Sequence, residues 1–233
     1  MKRGEGGLKE KNPRIYSQYL IPLPLPFPYN YNYYLASFIF DCFKSSGYDI
    51  HGKKCYFSYA LIGKRRAKGD LPFREVTLIF SSPVFEEIKH FLEGMLKNTK
   101  ISIGNSELIL ENVRAVRSPD FSSEAVFKTL SPITAYVSKG GSKIFLSPEN
   151  EKFRKVIEED LKRDFRELYG KECSFEIEEI IKKKRKTAEI KHGKFIAYHA
   201  EIIAKGDEEA LGFAFFRGLG KKRKFGFGCL TTE

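Results

Sequence analysis

"YNYYLASFIFDCFKSSG", Tyr31 to Gly47, decides whether the strand before it runs on or turns back over a helix. Leu35, Phe38, Ile39, Cys42 and Phe43 recur at i, i+3, i+4, i+7 and i+8, an apolar stripe of helical period that Gly47 stops. Upstream, "YSQYLIPLPLP" (Tyr16–Pro26) opens as a strand and ends in prolines. Downstream, "CYFSYALIG" and "REVTLIFSS" are aromatic and β-branched and read as strands. "SPVFEEIKHFLEGMLKN" is a second amphipathic helix with Phe85, Ile88, Phe91, Leu92 and Met95 on one face, and "SELILENVRAVRSP" returns to strand. The order is β-α-β-β-α-β, the ferredoxin-like unit.

The pattern repeats. "VFKTLSPITAYVSKGGSKIFL" reads as a strand pair around Gly140-Gly141. "SPENEKFRKVIEEDLKRDFRELYG" reads as a long helix with Ser147 as N-cap, Pro148 at the first position and Gly170 after the last. "SFEIEEIIKKKRK" and "FIAYHAEIIAKG" are strands, "DEEALGFAFFRGLG" a short helix and "FGFGCLTTE" a final strand. The expected fold is α+β, two tandem ferredoxin-like (RRM-like) domains over residues 15–121 and 122–233, joined in the polar stretch Ser118–Glu124. Residues 1–14, polar and Gly-rich with no apolar core segment, read as a flexible extension and not a signal peptide.

Composition narrows the partner. The 233 residues hold 41 Lys and Arg against 30 Asp and Glu, a surplus that suits a polyanion and is shared by both halves. Abundant Lys and Glu also fit a thermophile surface. Cys42, Cys55, Cys173 and Cys229 lie far apart without CxxC spacing, which argues against a disulfide framework or a zinc site and for a reducing cytoplasm. No apolar run reaches membrane-spanning length. No metal and no cofactor are expected.

Near the C-terminus stands "GLGKKRKFGFG", Gly218 to Gly228: two Gly-x-Gly pairs around a basic run. Glycine permits φ > 0 and close backbone approach, and Lys and Arg meet phosphate. The stretch reads either as a loop that grips a polyanion or as a hairpin turn with solvated lysines. It resembles the hallmark glycine loop of the CRISPR-associated protein 6 family, the repeat-processing endoribonucleases of the RAMP superfamily. "PYNYNYYLASFIF", "IHGKKCYFSYALI" and "FKTLSPI" resemble that family's first helix, following catalytic segment and second-domain opening. The similarity is to archaeal members and runs from about Tyr16 onward. It implies an endoribonuclease that binds CRISPR repeat RNA and cuts precursor CRISPR RNA into guides with a 5′ repeat tag. It also implies hand-over of the product to a CRISPR effector complex, and leaves a homodimer open.

The chemistry has three requirements. Cutting RNA without metal uses the 2′-OH as nucleophile, so a group must take its proton, another must protonate the leaving 5′-oxygen, and charge on the phosphoryl oxygens must be met. Histidine suits either proton transfer near neutral pH, and lysine suits the third role. Of four histidines, His90 lies on a Lys/Glu-rich helix, His192 in a turn, and His199 in a strand as a packed side chain or an RNA contact. By resemblance His51, in the basic loop "YDIHGKKC", is the catalytic histidine, with Lys53 or Lys54 as its lysine. Where some archaeal members carry a helix-one tyrosine, this chain has Phe40; Tyr33 lies two turns away, about 10 Å, and Tyr48, nearer His51, is the candidate tyrosine to assist catalysis.

For RNA binding the expected residues are Gly218, Gly220, Lys221, Lys222, Arg223, Lys224, Gly226 and Gly228, with the four basic side chains at the loop tip. Lys182, Lys183, Lys184, Arg185 and Lys186, read as the turn after "SFEIEEII", supply a second basic run, favoured over "GKRRAKG" (Gly63–Gly69). The rival reading is a non-catalytic repeat RNA-binding subunit, supported by Phe40. A generic tandem RNA-recognition protein is weaker, because the RNP1 consensus is absent.

Overall fold

The computed structural model describes residues 12–22, 31–63, 75–190 and 193–232. His192, the stretch Lys64–Gly69 and residues 1–11 of the expected extension lie outside the described residues, while Arg14, expected to belong to that extension, opens the first strand. In the first half the elements are β1 (Arg14–Leu20), α1 (Tyr31–Ser45), β2 (Ser58–Gly63), β3 (Glu75–Ser81), α2 (Phe85–Lys97), β4 (Lys100–Ile103) and β5 (Ser106–Val116). They form an antiparallel sheet of order β2-β3-β1-β5-β4. Without β4 this is the ferredoxin-like order. The reading of the sequence missed β4, four residues that pair with β5 as an edge hairpin across Gly104 and Asn105.

The two helices cover one face. Leu35, Ile39, Cys42 and Phe43 of α1 meet Ile88, Phe91 and Met95 of α2 over Tyr19, Leu78 and Phe80. The helices approach closely at Gly94, where an added Cβ would stand 1.7 Å from the Cys42 carbonyl oxygen, so only glycine fits. Phe85 departs from the expected stripe: it begins α2 and is 56% exposed.

In the second half the elements are β6 (Glu124–Thr129), β7 (Tyr136–Lys139), β8 (Ser142–Phe145), α3 (Glu151–Tyr169), β9 (Phe175–Ile190), β10 (Gly193–Gly206), α4 (Glu208–Arg217), a 3₁₀ turn at Arg223–Phe225 and β11 (Leu230–Thr231). The sheet order β11-β6-β10-β9 is again ferredoxin-like, all antiparallel.

Three local expectations are corrected. The strand pair around Gly140-Gly141 is a separate hairpin, β7-β8, inserted between the first strand and helix of the unit. Helix α3 starts three residues later than expected. Asn150 is its N-cap, its side chain accepting from the Lys152 amide at 2.9 Å, while Ser147 and Pro148 form the turn before it. Lys182–Lys186 are not a turn but the middle of β9, whose 16 residues pair with β10 far beyond the body of the sheet. Lys182, at φ 49, marks a bulge where the register shifts opposite His199 and Glu201.

The two sheets are fastened by buried polar contacts. Arg14, the first residue of β1 and 1% exposed, donates to the Leu230 carbonyl at 2.5 Å and the Phe215 carbonyl at 2.7 Å. Ser58 and Ser81 both donate to the Phe216 carbonyl, at 3.2 and 3.0 Å. Tyr56 leaves its own half to join the second core beside Phe213. The end of α4 is therefore the seam of the molecule.

Candidate functional site

The glycine loop leaves α4 at this seam. All four of its glycines are buried with φ between 75° and 79°. Two show why. A Cβ on Gly228 would lie 1.9 Å from the Leu219 carbonyl oxygen, across the bond the Leu219 amide makes to Gly228 at 2.9 Å. A Cβ on Gly220 would meet Ile133 and the Thr134 carbonyl at 2.7 Å, beside the bond from the Lys221 amide to Thr134. The stretch therefore folds back on itself, and the expected final strand shrinks to Leu230 and Thr231. Its inner side lies against β2, with Tyr59 donating to the Lys224 carbonyl at 3.0 Å.

The four basic side chains do not share one tip. Arg223 turns inward, only 12% exposed, to the carboxylates of Asp160 (3.1 Å) and Asp164 (2.9 Å) and the Gly220 carbonyl (2.6 Å). Lys224 reaches back to the first half, where its ammonium donates to the Lys53 carbonyl at 2.5 Å. Lys221 and Lys222 point the other way, over the rings of Tyr136 and Phe195.

The Lys224 contact joins the glycine loop to the His51 turn. That turn is set by Asp49, whose side chain accepts from the His51 amide at 2.8 Å, and by Gly52 at φ 71. His51 and Lys53 are exposed. The Lys53 ammonium lies 5.3 Å from the Tyr48 ring centre, and Tyr48 stacks on His90 with centroids 4.5 Å apart. Burial, then Glu87, raises the Tyr48 phenol, so it stays protonated. Lys54 faces elsewhere: its ammonium pairs with Asp164 at 2.7 Å and with Glu167. Burial works against its charge, but these carboxylates outweigh burial and raise its pKa.

Asp160 and Asp164 were not anticipated as site residues. They hold Arg217, which is fully buried: its Nη2 lies 2.6 Å from Asp160 and its Nε donates to Asp164 at 2.7 Å. Burial pushes both carboxyls up, yet Arg217 and Arg223 outweigh it and hold them below the usual range. The signal was present in α3, where two aspartates fall at i+3 and i+7 from Ile157, inside the stripe of Phe153, Ile157, Leu161 and Phe165. Glu87 was missed as well. It is 3% exposed, accepts from the Ser82 hydroxyl at 2.6 Å and the Tyr56 amide at 3.1 Å, and burial lifts its pKa to about 7.

The second basic run is divided. Lys182 pairs with Glu201 and Lys183 with Glu149. Lys184, Arg185 and Lys186 are exposed, and among the described residues no carboxylate pairs with them. His199 lies opposite Lys184, its Nδ1 3.2 Å from the Thr129 hydroxyl, and burial lowers its pKa. Burial raises the thiols of Cys55 and Cys173 to about 11, so neither is a ready nucleophile. Among the described residues no three His, Cys, Asp or Glu stand together to hold a metal ion, and no helix is long and apolar enough to cross a membrane.

Residues 116–232 match the family model of CRISPR associated protein Cas6, C-terminal, and residues 26–114 match that of CRISPR-associated protein Cas6, N-terminal. The chain belongs to the Cas6 family. A CRISPR-associated endoribonuclease Cas6 of Pyrococcus furiosus is 28% identical over 214 residues, 86% of this chain and 81% of that protein. The CRISPR-associated endoribonuclease Cas6 1 of Methanocaldococcus jannaschii is 30% identical over 66% of this chain and 63% of its own length. A solved structure described as CRISPR associated protein Cas6 superposes with a TM-score of 0.82 at 25% identity, covering 96% of this chain and 100% of the other. Relatives in the Cas6 family are thus named endoribonucleases, and the tandem ferredoxin-like fold is theirs.

Proposed function

We propose that this chain is a metal-independent endoribonuclease that binds CRISPR repeat RNA and cleaves precursor CRISPR RNA by attack of a 2′-OH. The observation that carries the reading is the bond from Lys224 to the Lys53 carbonyl, which brings the glycine loop onto the His51 turn. RNA gripped by the loop then lies beside an exposed histidine and an exposed lysine. His51 transfers the proton of the nucleophile or of the leaving 5′-oxygen, and the products are a 2′,3′-cyclic phosphate and a guide with a 5′ repeat tag.

Lys53 is the better partner for the phosphoryl charge. Its ammonium has no carboxylate partner among the described residues and rests over Tyr48, which positions it. Lys54 is neutralised by Asp164 and Glu167 and fixes the turn to α3. Lys221, Lys222, Lys224, Lys184, Arg185 and Lys186 bind the strand. Arg223 and the four glycines give the loop its shape, and Lys182 and Lys183 spend their charge on nearby carboxylates.

The test is to incubate the protein with end-labelled repeat RNA in excess EDTA and map the product ends. A single cut persisting in chelator with a cyclic phosphate end is expected. Activity lost in EDTA and restored by a divalent ion overturns the mechanism. Tight binding without cleavage under any condition leaves the non-catalytic subunit, with Phe40 at the position of the missing hydroxyl.

A further inference from the structure

The side of the glycine loop that faces away from His51 carries a crowd of unneutralised charge. Lys143 of β8 lies 5.4 Å from the Tyr136 ring centre and 5.2 Å from that of Phe195. Lys221 lies 5.1 Å from the Tyr136 ring, and Lys222 lies 5.8 Å from Phe195 and 5.6 Å from Phe225. Three ammonium groups thus share three rings. A ring face attracts a cation but does not cancel its charge. Among the described residues no carboxylate pairs with any of the three lysines. Asp160 is near enough to act on Tyr136, but Arg163, Arg217 and Arg223 already take its oxygens.

The backbone keeps the charges there. Lys222 sits at φ 63, a left-handed conformation that a lysine adopts at a cost, between the buried glycines of the loop. Burial and then the charge of Lys143 lower the pKa of Lys222. A fold that desolvates a lysine beside another lysine, with no unengaged carboxylate in reach among the described residues, is arranged for an anion that arrives. The β7-β8 hairpin that supplies Tyr136 and Lys143 is the insertion that the ferredoxin-like unit does not need.

We propose that Lys143, Lys221 and Lys222 form a seat for a backbone phosphate of the RNA, walled by Tyr136 and Phe195 and separate from the His51 turn. The seat rests on the RNA-binding reading above, and its chemistry is that of a phosphodiester. It gives the inserted hairpin a purpose, since the seat and Lys224 on the opposite side of the loop hold the strand at two points. Arg223 between them anchors the loop to α3.

Two probes test this. With inorganic pyrophosphate alone, the Tm of the wild type should rise with concentration, and Lys143→Gln and Lys222→Asn should lose that rise. Asparagine tolerates the left-handed backbone, so the second variant removes charge without adding strain. Lys139→Gln, at the exposed end of the same hairpin, should keep the rise. With repeat RNA, each seat variant should lower the slope of log affinity against log salt by about 0.7, the value for one phosphate contact on a single strand. Equal pyrophosphate shifts in all four proteins, or none in any, overturn the seat. So does an unchanged salt slope in the seat variants. If the wild type binds no repeat RNA, the RNA-processing reading fails, while the pyrophosphate arm still decides whether the lysines bind phosphate.

Discussion

At the scale of the residue, the structure divides lysines that adjoin in sequence. His51→Ala should slow single-turnover cleavage by roughly 10²–10⁴, with RNA affinity little changed. Lys53→Ala should likewise lower the rate. Lys54→Ala should act instead through the ordering of the turn, lowering thermal stability along with rate. Single-turnover rates and melting curves of the three variants separate these effects, and equal cleavage by wild type and His51→Ala places the site elsewhere. Glu87 makes a second residue-scale prediction. Its pKa is raised on folding to about 7, so the proton it binds stabilises the folded state at low pH, and that contribution is lost as pH rises from the unfolded value near 4.5 through 7. Glu87→Gln removes the effect. The wild type should lose stability relative to the variant across that window, up to roughly 3 kcal/mol, and urea titrations at pH 5 and pH 8 measure it.

Among the elements, α3 carries the most consequence. Asp164 receives Arg217 from the end of α4, Arg223 from the glycine loop and Lys54 from the His51 turn, so one carboxylate ties helix, loop and turn. Asp164→Asn leaves Arg217 buried with less than its counter-charge and should cost about 3–5 kcal/mol, read as a lower urea midpoint at unchanged m-value. Lys54→Ala touches the same carboxylate from an exposed position and should cost far less. A midpoint shift of similar size in both would mean that the network is not what holds Arg217. Helix α3 also shows the limit of pattern reading. Its apolar stripe and Gly170 cap were legible, because period and a left-handed glycine are local properties. The partners of its two aspartates were not, since Arg217 lies more than fifty residues on, and pairing at that distance is decided by packing.

For the whole molecule, the two sheets were legible from alternation and helical stripes, and three of the departures share a cause. The edge strand β4, the inserted hairpin β7-β8 and the long arm of β9 are additions to the unit, and an addition leaves no trace in a template. The His51 turn and the glycine loop were legible only as separate segments. What joins them is the Lys224 side chain, carried by a loop with five positive φ angles, those of its four glycines and Lys222. The β9 arm makes the prediction at this scale. Lys184, Arg185 and Lys186 are exposed and without carboxylate partners among the described residues, so replacing all three with alanine should weaken repeat RNA binding and flatten its salt dependence by up to roughly 2 units of slope. Replacing Lys182 and Lys183, already paired with Glu201 and Glu149, should change the slope less. Filter binding over a salt series distinguishes the two.

The seam has a consequence in time. Arg14 lies on the first strand, and the carbonyls it grips belong to residues 201 and 216 positions later. On a ribosome that adds about 5–20 residues per second, its guanidinium waits on the order of ten to forty seconds for those acceptors to emerge. During that wait the first half can collapse around Phe43 and Phe80, but the face that will receive α4 stays uncovered, with Tyr56 and Ser58 turned to water. The nascent chain is thus at its most adhesive just before α4 and Leu230 emerge. Docking of α4 and of the two-residue strand β11 onto Arg14 and Ser58 releases it from that state.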